Sequence, residues 1–169
     1  MTKLQPIARN LFALMMVIGL VGQVQNARAA QPEPASGSWT DCNVVEQVRT
    51  VGSVTYVIVT ITEQYAGTLS GSYVGTEWDI VRPDGSATFI GHGVFTGSVG
   101  GQIGSAEMRY AGTASASGAG LAHWVMSNGS GGLARVHGQG TFEGTALDPT
   151  PQCDIPYGGT YSGQIHFGG

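Results

Sequence analysis

Charge is what this chain has least of. Asp, Glu, Lys and Arg make up 11% of its 169 residues, against about 25% in an ordinary soluble domain. Lys3 is the one lysine, and Cys42 and Cys153 are the only cysteines. So few cysteines exclude a disulfide-dense miniature scaffold and a Cys-rich zinc module. No window carries a sustained helical stripe with caps, which excludes a helical bundle. The 28 glycines have no three-residue period, which excludes collagen. A hydrophobic content of 41% with 5 Phe, 3 Trp and 6 Tyr is enough to build a core, so wholesale disorder is excluded as well. The length suits one domain.

The N-terminus reads as a secretory signal peptide over residues 1–29. Lys3 and Arg9 form a positive start, Leu11 to Val21 is an apolar run, and Ala27-Arg28-Ala29 supplies the small-x-small cleavage pattern. The apolar run falls short of the ~20 residues of a spanning helix; the competing reading is a retained N-terminal anchor. Cleavage would remove Lys3, Arg9 and Arg28 and no acid. Arg49, Arg82, Arg109 and Arg135 then face eleven acids, a net charge of −7. Such a chain lacks the cationic footprint that displaces counterions from nucleic acid, and the basic patch that anionic lipid attracts. Neither nucleic acid nor, after cleavage, a membrane is expected as a partner.

Export implies a secreted or periplasmic location, where Cys42 and Cys153 are expected to join. Their bridge would close a loop of about 110 residues, worth ~4–5 kcal/mol in the chain-entropy picture. A metal–thiolate pair is the alternative, but no His cluster lies nearby in sequence.

Residues 30–37 (Ala-Gln-Pro-Glu-Pro-Ala-Ser-Gly) read as a disordered leader. Beyond them, runs of Val, Ile, Thr and aromatics alternate with Gly-containing turns. Eight strands are expected: residues 38–48, 53–64, 69–81, 87–96, 105–112, 121–127, 135–144 and 160–167. Arg82-Pro83-Asp84-Gly85 is the clearest hairpin turn, and Val99-Gly100-Gly101-Gln102 a second. Short strands at even spacing favour a barrel or a sandwich. The disulfide decides between them, because it ties the first strand to the start of the last, and those strands are neighbours when a sheet closes on itself. The expected fold is therefore all-β: one eight-stranded antiparallel closed β-barrel over residues 38–169.

Between Glu77 and Phe142 the turns become specific. Arg82-Pro83-Asp84-Gly85-Ser86-Ala87-Thr88-Phe89-Ile90-Gly91, Phe95-Thr96-Gly97-Ser98-Val99-Gly100-Gly101 and Gly129-Ser130-Gly131-Gly132-Leu133-Ala134, running on to Gly138-Gln139-Gly140-Thr141-Phe142, resemble a bacterial family of uncharacterised proteins built on the allene-oxide-cyclase-type barrel. The resemblance covers about two-thirds of the mature chain. It implies an allene-oxide-cyclase-like fold, and no cyclase catalytic residue matches a position here.

Chemistry is harder to find. The Gly-rich segment Asn128 to Leu133 lacks the Lys-Ser/Thr of a phosphate loop and reads as a turn. His92, His123, His137 and His166 lie in strand segments without metal-ligand spacing, although His137 and His166 could meet across neighbouring strands with Glu143 as a third ligand. No metal and no cofactor is expected. No G-x-S-x-G elbow is present. Glu107 and Arg109 share one face of their strand, and Glu77 and Asp79 one face of theirs. If these faces line the interior, they can hold a polar ligand or move a proton; if they face outward, they are solvated. Val74, Trp78 and Ile80 look like the more natural core side of the third strand, which would put Glu77 and Asp79 outside. The second strand is apolar on both faces, which suggests that its outer face is covered by another subunit of a homo-oligomer.

The expected ligand-binding residues are Arg109 and Glu107, followed by Tyr56, His123 and Glu77. The leading functional reading is an exported, non-enzymatic barrel that binds a small apolar molecule. One alternative is an isomerase or cyclase working on such a molecule inside the barrel; another is a structural or assembly subunit. A pocket with buried Glu, Arg or His would favour the enzyme, a pocket without titratable groups would favour binding, and a filled interior the structural role.

Overall fold

The computed structural model describes residues 31–151, 153 and 155–168; the expected signal peptide over residues 1–29 lies outside them. The chain forms eight strands: β1 (Glu33–Val51), β2 (Val54–Gly67), β3 (Leu69–Val81), β4 (Ala87–Val99), β5 (Gln102–Ala114), β6 (Ala119–Gly131), β7 (Val136–Ala146) and β8 (Ile155–Phe167). Each pairs antiparallel with the next, and β8 returns to β1 through eleven residue pairs from Glu33↔Ile165 to Asn43↔Ile155. The sheet is a closed ring of eight antiparallel strands.

The order and number of the strands follow the pattern of the sequence, but the strands run longer. Gly97 and Ser98, beyond the expected end of the fourth strand at residue 96, are paired with Gly71 and Ser70. The largest correction is at the N-terminus. The supposed disordered leader is strand from Glu33 onward, with Ala35 buried. Pro34 is tolerated there because β1 meets β8 from Glu33 but meets β2 only from Gly37. One side of that stretch is therefore an edge, where a missing N–H breaks no ladder bond.

The Asp84-Gly85 hairpin forms as its chemistry dictates. Gly85 takes φ +81 and its N–H donates to the Arg82 carbonyl at 2.9 Å, while Asp84 Oδ1 accepts from the Ser86 N–H at 2.9 Å. Cys42 and Cys153 are joined, with Cα atoms 5.3 Å apart. The bridge pins β1 to the loop that leads into β8.

Inward-facing residues divide the interior in two. At one end Leu69, Val99, Leu133, Val136 and Ile165 seal the ring. Across the middle lies a layer of aromatic rings centred on Phe142, whose centroid is 5.7–6.4 Å from those of Trp39, Tyr65, Tyr110, Trp124 and Tyr161. Such tilted contacts are worth about 0.5–1.5 kcal/mol each beyond their buried area. Rings this large fit a narrow ring of strands because glycines lie beneath them. A Cβ at Gly91 would stand 2.1 Å from Cζ of Tyr110, its cross-strand partner.

The outer face of β2 is not covered within one chain, since Tyr56 is 44% exposed. It continues into an apolar belt over β3 to β6 that includes Trp78, Ile80, Ile90 and Val125.

Gly91→Ala is expected to force the Tyr110 ring from its seat and to cost about 1–3 kcal/mol of stability by overpacking. Urea denaturation followed by aromatic fluorescence measures it; an unchanged midpoint would show that the ring can give way freely.

Candidate functional site

The end of the ring opposite the Leu69–Ile165 seal is hollow. A cavity of about 280 Å³ opens there, walled by Val57, Val59, Ile61, Phe89, Ala122 and Phe142 and rimmed by Gly85 and Ser115. Strand alternation decides which polar groups enter it. Tyr73 and Leu69 point inward on β3, so Glu77 and Asp79, at even spacing from them, do too, while Val74, Trp78 and Ile80 face outward. This reverses the expected orientation of β3. The apolar face that looked like core belongs to the outer belt.

On β1 and β2 the same alternation brings in Asp41, Asn43 and Glu63, with Asp41 paired directly to Glu63 across the strands. Among the described residues, four carboxyls thus line one mouth, and no Arg, Lys or His lines it with them. Their surroundings favour the protonated forms. Burial pushes the Glu63 carboxyl up to about 8, against a hydrogen bond from the Tyr65 hydroxyl, with the Asp41 charge adding to the rise. Burial likewise carries Asp41 up to about 7, opposed by the Tyr157 N–H, which donates to Oδ1 at 2.7 Å, and by Asn43. Glu77 is raised well above its ordinary value, first by burial and then by the Asp79 charge beside it. The Tyr110 hydroxyl, close enough to temper that rise, makes no geometrically formed hydrogen bond. Asp79 is also raised, by burial.

Of the five residues expected to bind a ligand, Glu77 alone lines this cavity. Arg109 and Glu107 lie on the outer wall, because Ala106, Met108 and Tyr110 take the inner face of β5. They form a solvated pair 3.5 Å apart with side chains 69% and 46% exposed, and Asn128 donates to Glu107 at 2.9 Å. Such a pair contributes little to stability. Tyr56 is on the outer face of β2. His123 is exposed on β6 and shares a shallow outer hollow with Arg109, Trp78 and His92, whose rings stack at 5.1 Å. His137 and His166 do meet, stacked at 5.2 Å across β7 and β8. Among the described residues, however, no group of three His, Cys, Asp or Glu could hold a metal ion.

Asp41, Asn43, Glu63 and Tyr110 were not anticipated. The signal was present for Glu63, an acid between Ile61 and Tyr65 on an otherwise apolar face. Asp41 becomes legible only once β1 is set in register with β2.

The chain matches over residues 37–151 the family described as "Protein of unknown function (DUF3224)", and it belongs to that family. Among solved structures it is similar to a protein of unknown function of the same family from Shewanella oneidensis MR-1. The match has a TM-score of 0.64 and 17% identity, covering 82% of this chain and 99% of that one. At that identity the likeness shows the fold alone. No curated protein matches.

The raised carboxyls set a pH dependence. A carboxyl that holds its proton more tightly when folded contributes its full stability below the ordinary carboxylate range and loses it as pH rises through its folded value. Stability is therefore expected to be highest near pH 4, the ordinary carboxylate range, and to fall as pH rises through the folded values of Asp41 at about 7 and Glu63 at about 8. Urea midpoints measured from pH 4 to 9 check this, and Glu63→Gln should flatten the descent. A midpoint that rises over this range would contradict the burial of these acids.

Proposed function

We propose that this protein is an exported binder of a small, largely apolar molecule, held in the acid-lined mouth of the strand ring. The cavity carries the reading. Its volume of about 280 Å³ lies near the lower end of the ~300–1,000 Å³ range of small-molecule sites, and its walls are mainly apolar with a few convergent polar groups. Export is supported by the charged start, apolar run and Ala27-Arg28-Ala29 pattern, and by the Cys42–Cys153 bridge, which hints at an oxidising compartment. The proposed architecture is the allene-oxide-cyclase-type barrel, supported by the strand count and the closed antiparallel pairing.

A second reading has its own support. The adjacent carboxyls Glu77 and Asp79, whose proximity holds a proton on Glu77 when Asp79 ionises, could serve as acid and base respectively in an isomerase or cyclase that folds an apolar substrate inside the ring. The third reading, an assembly subunit or homo-oligomer, draws on the outer apolar belt around Trp78 and Ile80.

Native mass spectrometry of protein purified from its own host is expected to show a retained small molecule. In vitro, the neutral dye N-phenyl-1-naphthylamine should brighten on binding and lose that response in Ala114→Trp, which plugs the rim. A response that survives the plug would place the dye elsewhere and sink the proposal. If the retained molecule returns from incubation with fresh protein at the same mass but a new chromatographic retention, the enzyme reading prevails. A subunit count above one in the same spectrum supports the homo-oligomer.

A further inference from the structure

Resting on the reading of the mouth as a small-molecule site, we propose that its ligand is a protonated primary or secondary amine on an apolar body, with the nitrogen seated among Asp41, Asn43, Glu77 and Asp79. The charge balance of the cavity is the first argument. Four carboxyls line it, while Arg49, Arg82, Arg109 and Arg135 are not among its lining residues. Desolvated carboxylates without a countercharge are costly, and a cation entering the mouth supplies the charge that the fold omits.

The second argument is the state of the polar atoms. Asn43 is 4% exposed, and its Nδ2 donates to the Ile155 carbonyl at 3.1 Å. That bond settles the orientation of the amide and leaves Oδ1, buried and without a hydrogen-bond partner, as an acceptor in the cavity wall. Asp79 Oδ1 is a second buried acceptor without a partner, and the Tyr110 hydroxyl, on a residue 5% exposed, is unpartnered as well. Buried polar atoms are normally satisfied. Asn43 Oδ1 is an acceptor in every protonation state, and each carboxyl becomes one when it gives up its proton, so a ligand that brings donors satisfies them.

An ammonium carrying N–H groups meets both demands at once. A quaternary ammonium would supply the charge and leave the acceptors unsatisfied; a neutral alcohol would supply a donor and no charge. The aromatic faces of Trp39, Phe89 and Phe142 line the same cavity and suit both the apolar body and its cation. A divalent metal ion would need several oxygens converging on one point, and among the described residues no such group of three exists. The titratable groups facing the site from the surrounding strands are Asp41, Glu63, Glu77, Asp79, Tyr110 and Tyr157. Burial keeps protons on the carboxyls of the free site, so an incoming ammonium displaces them and affinity rises with pH.

Isothermal titration of the mature chain with 2-phenylethylamine and 2-phenylethanol tests this at pH 5.5 and 8. The amine should bind roughly tenfold to a hundredfold more tightly than the alcohol at pH 8, the gain of a charge-assisted over a neutral contact. That advantage should shrink toward pH 5.5, and at pH 7 the measured heat should vary with buffer because protons are released. Glu77→Gln and Asp79→Asn, each checked for folding by circular dichroism, should lower amine affinity about tenfold more than alcohol affinity. Equal affinities for amine and alcohol, or uptake of N-phenyl-1-naphthylamine without the amine, would overturn the amine assignment alone. A mouth that takes none of the three overturns the binding reading beneath it.

Discussion

Closing eight antiparallel strands on themselves leaves an interior just wide enough to be filled by side chains or to hold one small ligand; this chain fills one part with side chains and leaves a cavity in the other. Pairing of β1 with β8 makes the enclosure; what happens inside is then a question of volume. Glycines beneath Tyr110 and its neighbours give the aromatic layer its room, and that layer floors the cavity above the Leu69–Ile165 seal. The glycine excess that dominates the composition therefore accommodates large rings and does not in itself create empty space. The hollow arises where short side chains such as Ala87, Ala114 and Ala122 line the mouth.

The strand count, the antiparallel order and the Asp84-Gly85 turn were all legible from alternation and turn chemistry, because these signals are local. The facing of β3 was not. Alternation tells which residues share a face, and the choice of the inner face then leans on the rule that apolar residues go inside. Glu77 and Asp79 defeat that rule, since Val74, Trp78 and Ile80 compete with them and lie on the outside. The start of β1 was missed for a related reason. Two prolines argue against a strand unless one flank is known to be an edge, and that depends on where β2 ends. The site was the least legible part, because Asp41, Glu63 and Glu77 converge only through cross-strand register.

The protein is thus inverted in one respect. Four of its few acids, held toward their protonated forms, line the cavity, while much of the wall between β2 and β6 offers apolar residues to the outside. A fold selected for stability alone would exchange the two. Buried acids of one sign oppose folding at neutral pH, and an arrangement that persists in spite of this cost is where function is most reasonably sought.

The uneven pairing of β1 also has a mechanical side. Among the described residues Glu33 to Ala35 pair with β8 alone, Gly37 to Asn43 are held by both β8 and β2, and Cys42 is tied covalently. A load applied at Glu33 would meet three grades of resistance in turn: peeling of single-sided pairs, then tearing of a doubly held strand, then a bond that thermal force does not break. The cavity residues Asp41 and Asn43 flank that covalent stop. Tension that frays the first grade would leave the mouth of the ring in its resting shape.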